Sequence, residues 1–178
     1  MLIDFDFDRE NIIAAVQDRN RISEILIVDL NGSPLPQALV SALPKPLPAL
    51  THFYLRSSRL SESAQGLPEA FLGGSVPLLK SFVLWGIPFP TFPQFILSAT
   101  HIVELGLFNI PNSGDLSPDV LTTSLATLPN LKFLSIRTQF DESHPLPTSP
   151  PSSTRAVLPA LAYLHPDGVG VYSEDFLA

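Results

Sequence analysis

Four stretches of this chain echo one another: LPALTHFYL at 47–55, VPLLKSFVL at 76–84, LPNLKFLSI at 128–136 and LPALAYLHP at 158–166. The shared pattern is an apolar anchor with apolar residues three and five positions later. It recurs as Leu2/Phe5/Phe7, Ile22/Ile25/Ile27, Leu50/Phe53/Leu55, Leu79/Phe82/Leu84, Ile102/Leu105/Leu107 and Leu131/Leu134/Ile136. A seventh copy, Leu161/Leu164, has Pro166 at its last position and reads as degraded. The anchors follow one another at intervals of 20 to 30 residues. A unit this short cannot cover its own apolar face, so the units must stack on one another.

The segments between copies read as short helices or irregular turns. Ser117-Pro118-Asp119 offers an N-cap, a proline at the first helical position and an acid in the first turn, with Val120, Leu121, Leu125 and Leu128 following on one side. Pro36 to Leu43, Pro68 to Leu72, Pro93 to Ala99 and the stretch after Asp8 containing Ile12, Ile13 and Val16 are similar. A strand, a turn and a short helix per unit predict an α/β fold: a leucine-rich-repeat solenoid with a parallel β-sheet on its concave face and short helices or irregular turns on its convex face. The whole chain, 1–178, then forms one domain of about seven irregular repeats. Strands are expected near 2–8, 22–28, 50–56, 79–85, 102–108, 131–137 and 161–165, with the proline of each copy starting its strand.

One departure concerns the turn after the strand. Such repeats usually place Asn or Cys eight residues after the anchor, where the side chain bonds the turn backbone. Here Leu30, Ser58, Ile87, Ile110, Gln139 and Val169 occupy those positions. Trp85-Gly86-Ile87-Pro88 and Phe108-Asn109-Ile110-Pro111 repeat each other at identical offsets, so the turn geometry must be met in another way.

Composition narrows the function classes. With 45% hydrophobic and 15% charged residues, a chain of this length buries a substantial core. A formal net charge of −7 argues against nucleic acid and against anionic membrane surfaces as partners. The absence of cysteine removes disulfides, thiolate metal sites and thiol nucleophiles. No signal peptide opens the chain and no apolar run reaches membrane-spanning length, so a cytoplasmic or nuclear location is expected.

Candidate chemistry is sparse. Asp4, Asp6 and Asp8 alternate with Phe5 and Phe7, which fits a half-buried strand; the glycine and closing glutamate of a calcium loop are missing. His52, His101, His144 and His165 show no paired ligand spacing, and His52 and His165 fall on strands pointing outward. Gly73-Gly74-Ser75 and Gly168-Val169-Gly170 lack the frames of a nucleophile elbow and a dinucleotide loop and read as turns. Residues 141–155, DESHPLPTSPPSSTR, form a flexible Pro/Ser-rich insertion in which Ser149-Pro150 illustrates a phosphorylation site. No catalytic residue, cofactor or metal is expected, and the chain reads as a non-enzyme.

The functional signal is positional. With the residues three and five after the anchor turned inward, those two, four and six after it face out. The sixth-position column reads Asp8, Val28, Arg56, Trp85, Phe108, Arg137 and Asp167; Tyr54 and Val83 lie in the fourth, and His52, Glu104, Phe133 and Tyr163 in the second. Arg56, Trp85, Phe108, Arg137, Tyr54, His52 and Phe133 are the candidate protein-binding residues, since arginines flanking aromatics have the composition of an interface hot spot. The alternative is that further coils or a neighbouring chain cover Trp85 and Phe108.

LPEAFLGGSVPLLKSFVLWGIPFP (67–90), FILSATHIVELGLFNIPNSGDLSPDVLTTSLATLPNLKFLSI (95–136), TRAVLPALAYLHPDGVGVYSEDFLA (154–178) and RISEIL (21–26) carry a resemblance. Together they resemble the leucine-rich-repeat region of F-box-like proteins of mushroom-forming, basidiomycete fungi. In that family an F-box recruits the ubiquitin-ligase scaffold and the repeats select the substrate. The first copy here already includes Met1, so the resemblance implies the recognition half, with ligase components as partners only if a longer product carries an F-box. The alternatives are a regulatory or structural scaffold that competes with full-length relatives, and a nonfunctional family fragment.

Overall fold

A computed structural model describes residues 2–3, 19–29, 45–57, 71–87, 96, 98–110, 118–138 and 157–166. Among the described residues seven strands form one sheet: β1 Leu2–Ile3, β2 Glu24–Asp29, β3 His52–Ser57, β4 Ser81–Trp85, β5 Glu104–Ile110, β6 Phe133–Thr138 and β7 Tyr163–Pro166. Every neighbouring pair is parallel, and the order across the sheet is the order along the chain. The fold is therefore α/β with an all-parallel sheet and few helices.

The two-residue period of the strands sets what is inside. Ile25 and Ile27, Phe53 and Leu55, Phe82 and Leu84, and Leu105 and Leu107 are buried, and the register pairs each with its counterpart on the next strand. Phe53 stacks on Phe82 at 5.5 Å between centroids and meets Phe71 edge-on at 5.3 Å. Burying an apolar side chain of this size stabilises by roughly 1.5–3 kcal/mol, so these inward columns dominate the favourable side of folding.

Strands β2 to β7 each begin two residues after their anchors, which corrects the expected boundaries. β1 instead pairs Leu2 with Leu26 and Ile3 with Ile27, so Leu2 stands in register with a fourth position and not with an anchor. Leu50, Leu79, Ile102 and Leu131 are fully buried, but they close a tight turn ahead of the strand instead of starting it. Their N–H groups donate to the carbonyls of Leu47, Val76, Ala99 and Leu128 at 3.0–3.2 Å, and Leu161 does the same to Leu158. The prolines thus have another role than starting a strand. Pro48, Pro77, Pro129 and Pro159 occupy the second position of this turn, where their fixed φ is favourable and no N–H is needed. Thr100 takes that position ahead of β5.

A second device ties successive units together. Thr51 and His52 N–H both donate to the Ser23 carbonyl, at 2.7 and 3.2 Å. Lys80 and Ser81 do so to Thr51, Val103 and Glu104 to Lys80, Lys132 and Phe133 to Val103, and Ala162 and Tyr163 to Lys132. A carbonyl has two lone pairs, so one acceptor satisfies two donors at each step. This ladder holds the strands in a register that Pro-bearing turns alone would not impose.

The turn after the strand solves the missing-asparagine problem with backbone conformation. Gly86 and Asn109 follow β4 and interrupt β5 with φ of 68° and 48°. That left-handed residue reverses the alternation by one step, so Ile87 and Ile110 return to the core and both are buried. The register between Phe108 and Ile110 shifts accordingly, and Gly86 N–H donates to the Phe108 carbonyl at 2.9 Å. Asn109→Gly is expected to be neutral or slightly stabilising, and Asn109→Val to cost about 1–2 kcal/mol, because a branched side chain disfavours that φ. Urea unfolding of the two variants checks the difference.

Opposite the sheet, helix α1 spans Pro118–Leu125, starting at the proline, and Leu121, Leu125 and Leu128 pack into the core. A short turn, Phe71–Gly74, in which Leu72, Gly73 and Gly74 all have positive φ, buries Phe71 and Leu72. Ile96 and Ser98 are helical, and a 3-10 turn occupies Arg19–Arg21. At the C-terminal side Leu158, Leu161 and Leu164 are only partly buried, whereas their equivalents Leu128, Leu131 and Leu134 are closed off. β7 nonetheless pairs through Ile136 and Pro166, so the proline lies within the strand and does not abolish it.

The expectations placed on Asp4 to Asp8, Pro36 to Leu43, residues 141–155, His144, Asp167 and Gly168 to Gly170 lie outside the described residues. Among the described residues no helix is long and apolar enough to cross a membrane.

Candidate protein-interaction surface

The parallel register turns the outward positions into rows that run across the sheet. In the sixth-position row, Val28, Arg56, Trp85, Phe108 and Arg137 are successive partners on β2 to β6. Adjacent strands lie about 4.8 Å apart, a spacing at which flat side chains can stack. Trp85 and Phe108 do so, with centroids 5.0 Å apart and planes 23° apart. The Arg56 guanidinium caps the other face of the row, its Cζ 4.7 Å from the centre of a Trp85 ring. Arg56, Trp85 and Phe108 thus form one continuous stack in which each is partly buried. Arg137 follows Phe108 in register and is exposed.

The fourth-position row explains why Phe108 can lie down. It runs Leu26, Tyr54, Val83, Gly106, Ser135 and His165. A Cβ on Gly106 would come within 2.8 Å of Phe108 Cε2 and 3.2 Å of the Val83 methyls. The glycine leaves room for the Phe108 ring beside Trp85. Gly106→Ala is therefore expected to push Phe108 out of the stack. Trp85 is the single tryptophan, so its fluorescence should change with the ring contact while unfolding stability falls by only about 1 kcal/mol. An unchanged emission spectrum would refute the contact.

The second-position row is divided into polar and aromatic halves. Glu24, His52, Ser81 and Glu104 come first, then Phe133 and Tyr163. His52 Nδ1 lies 3.8 Å from Glu24 Oε1 and 2.9 Å from Thr51 Oγ1. Ser81 Oγ–H donates to Glu104 Oε2 at 2.7 Å. Phe133 and Tyr163, 47% and 53% exposed, face each other at 6.5 Å, and Tyr163 stacks on His165 at 6.1 Å.

The seven candidate residues therefore separate into groups. Arg56, Trp85 and Phe108 touch, with Arg137 beside them. Tyr54 is half-buried next to Val83, His52 joins the polar end, and Phe133 belongs to a different aromatic patch. Tyr163 and His165 extend that patch, although neither is among the candidates drawn from the sequence. Their signal was their outward register in the last unit, which Pro166 makes look broken. Among the described residues no group of three or more His, Asp or Glu side chains is placed to hold a metal.

Comparison with protein-family models, with curated proteins and with solved structures finds no match for this chain.

Proposed function

We propose that this chain is a protein-interaction module that holds an apolar-centred, acidic segment of a partner on the outer face of its sheet. The observation that carries the reading is the Arg56–Trp85–Phe108 stack, presented in register with Arg137 on a single face. A rigid aromatic pair braced by a guanidinium loses little conformational entropy on binding, and tryptophan and arginine supply much of the binding energy at protein interfaces. Arg56 and Arg137 at either end favour an acidic partner by charge complementarity.

In this reading the units stack as a leucine-rich-repeat solenoid whose concave side is that face. The sequential parallel sheet, the recurring proline turn and the carbonyl ladder between units support it. The resemblance to the repeat region of fungal F-box-like proteins supports a more specific role: recognising a substrate, in the cytoplasm or nucleus, for a ubiquitin ligase of the F-box type.

The test compares the intact chain with a Trp85→Ala, Arg137→Glu variant in quantitative capture from the host's own extract. A specific partner should be lost by at least about tenfold in the variant, the loss expected when one hot-spot contact is removed. Equal capture by both proteins would sink the reading. Ligase scaffold in the captured set would support the F-box role, and its absence from captures with a longer, F-box-bearing product would remove it.

A further inference from the structure

We infer that the segment held on this face is bipolar: a basic side chain at one end, an acidic one four residues away and an apolar residue between them. The inference rests on the interaction reading above and adds the half of the partner that the arginines do not see.

The charges of the outer face are sorted by row. Where the strands begin, the second-position row carries Glu24 on β2 and Glu104 on β5. Where they end, the sixth-position row carries Arg56 on β3 and Arg137 on β6. Four residue steps separate the rows, about 13 Å at ~3.3 Å per residue. The arrangement also repeats sideways: each glutamate lies one strand before an arginine, Glu24 before Arg56 and Glu104 before Arg137.

The charged groups are braced at both rows. Ser81 Oγ–H fixes the Glu104 carboxylate, and His52 stands beside Glu24. Trp85 supports the Arg56 guanidinium, whose Nε is removed from solvent without a hydrogen-bond partner among the described residues. Between the rows lies a low apolar floor. Val83 is nearly buried, Tyr54 is partly buried, and Gly106 contributes no side chain.

An extended peptide has the same two-residue alternation as the strands beneath it, so its residues i, i+2 and i+4 face the sheet together. A base at i, an apolar residue at i+2 and an acid at i+4, in either chain direction, match the carboxylate row, the floor and the guanidinium row. A uniformly acidic segment would instead set one of its charges against Glu24 or Glu104. Like charges in apposition are a strong element of discrimination.

The experiment is selection from a phage-displayed library of random nine-residue peptides on the intact chain, on Glu24→Lys, Glu104→Lys and on Trp85→Ala. The expected peptides carry opposite charges four residues apart around an apolar residue. Their capture should fall at least about tenfold on the lysine variant and weaken with added salt, because Glu24, Glu104 and Arg137 are exposed. Peptides that are acidic throughout and bind the lysine variant equally well would overturn the bipolar inference while leaving the interaction reading intact. No enrichment over Trp85→Ala would overturn both. Sedimentation adds a third arm: a dimer of this chain that Glu24→Lys, Glu104→Lys dissolves would assign the face to a second copy and overturn the peptide assignment. Should the lysine variant unfold in urea earlier than the intact chain, Glu24→Gln, Glu104→Gln replaces it, with the same outcomes read as loss of capture.

Discussion

Gly73→Ala is expected to lower unfolding stability by about 3 kcal/mol, as a large drop in the urea midpoint followed by Trp85 fluorescence. Gly73 has a φ of 65°, where an L side chain costs about 1–2 kcal/mol. The position is also closed. A Cβ there would lie 2.5 Å from Pro46 N and 2.6 Å from Pro46 Cδ and Cγ. The nearest of these is backbone and the others belong to a stiff ring, so neither can swing aside, and forced overpacking adds a further ~1–3 kcal/mol. Gly74 provides the control. Its φ is 70°, but a Cβ there meets nothing within 4 Å, so Gly74→Ala should cost only about 1 kcal/mol. Equal effects of the two substitutions would show that backbone strain alone, and not the approach of Pro46, makes Gly73 necessary.

Phe53→Ala should be as damaging or more so, at about 3–5 kcal/mol. Phe53 is fully buried and joins three units: it follows Ile25 in register on β2, stacks on Phe82 of β4 and receives the edge of Phe71. Truncation removes its transfer free energy, leaves a cavity among rigid neighbours and deletes two aromatic contacts worth ~0.5–1.5 kcal/mol each. Leu164→Ala, at the equivalent inward position of the last unit, should cost only about 1 kcal/mol, because Leu164 is partly exposed already. Hydrogen exchange measured on the intact chain should show the same gradient, with protection highest around β3 to β5 and lower at β7. A uniform profile, or a Leu164→Ala effect equal to that of Phe53→Ala, would contradict it.

The candidate surface was legible in part. The two-residue alternation identifies Arg56, Trp85 and Phe108 as outward neighbours because residues at equal offsets in parallel strands meet in register. It does not reveal that they stack, since stacking depends on the room left by Gly106, a residue without a side chain to signal its role. Phe133 is outward at the second position, and what the alternation does not show is that it packs toward Tyr163 at the start of the strands and so stands apart from the stack.

What the sequence determined by itself was the unit: which residues face inward, how often the unit returns and hence that parallel strands must lie side by side. These follow from a two-residue alternation and a 20- to 30-residue period, both of which are properties of the chain read locally. The tertiary structure alone decided where each unit turns. It placed the anchors and prolines in a turn before the strand, used left-handed Gly86 and Asn109 where an asparagine ladder is absent, and brought Gly73 against Pro46. The proline turns close over three residues, but the carbonyl ladder beside them, the bond from Gly86 to Phe108 and the approach of Pro46 to Gly73 come from the neighbouring unit, 20 or more residues away. Local apolar patterning carries the burial of a residue, but not the identity of the atoms that will be pressed against it.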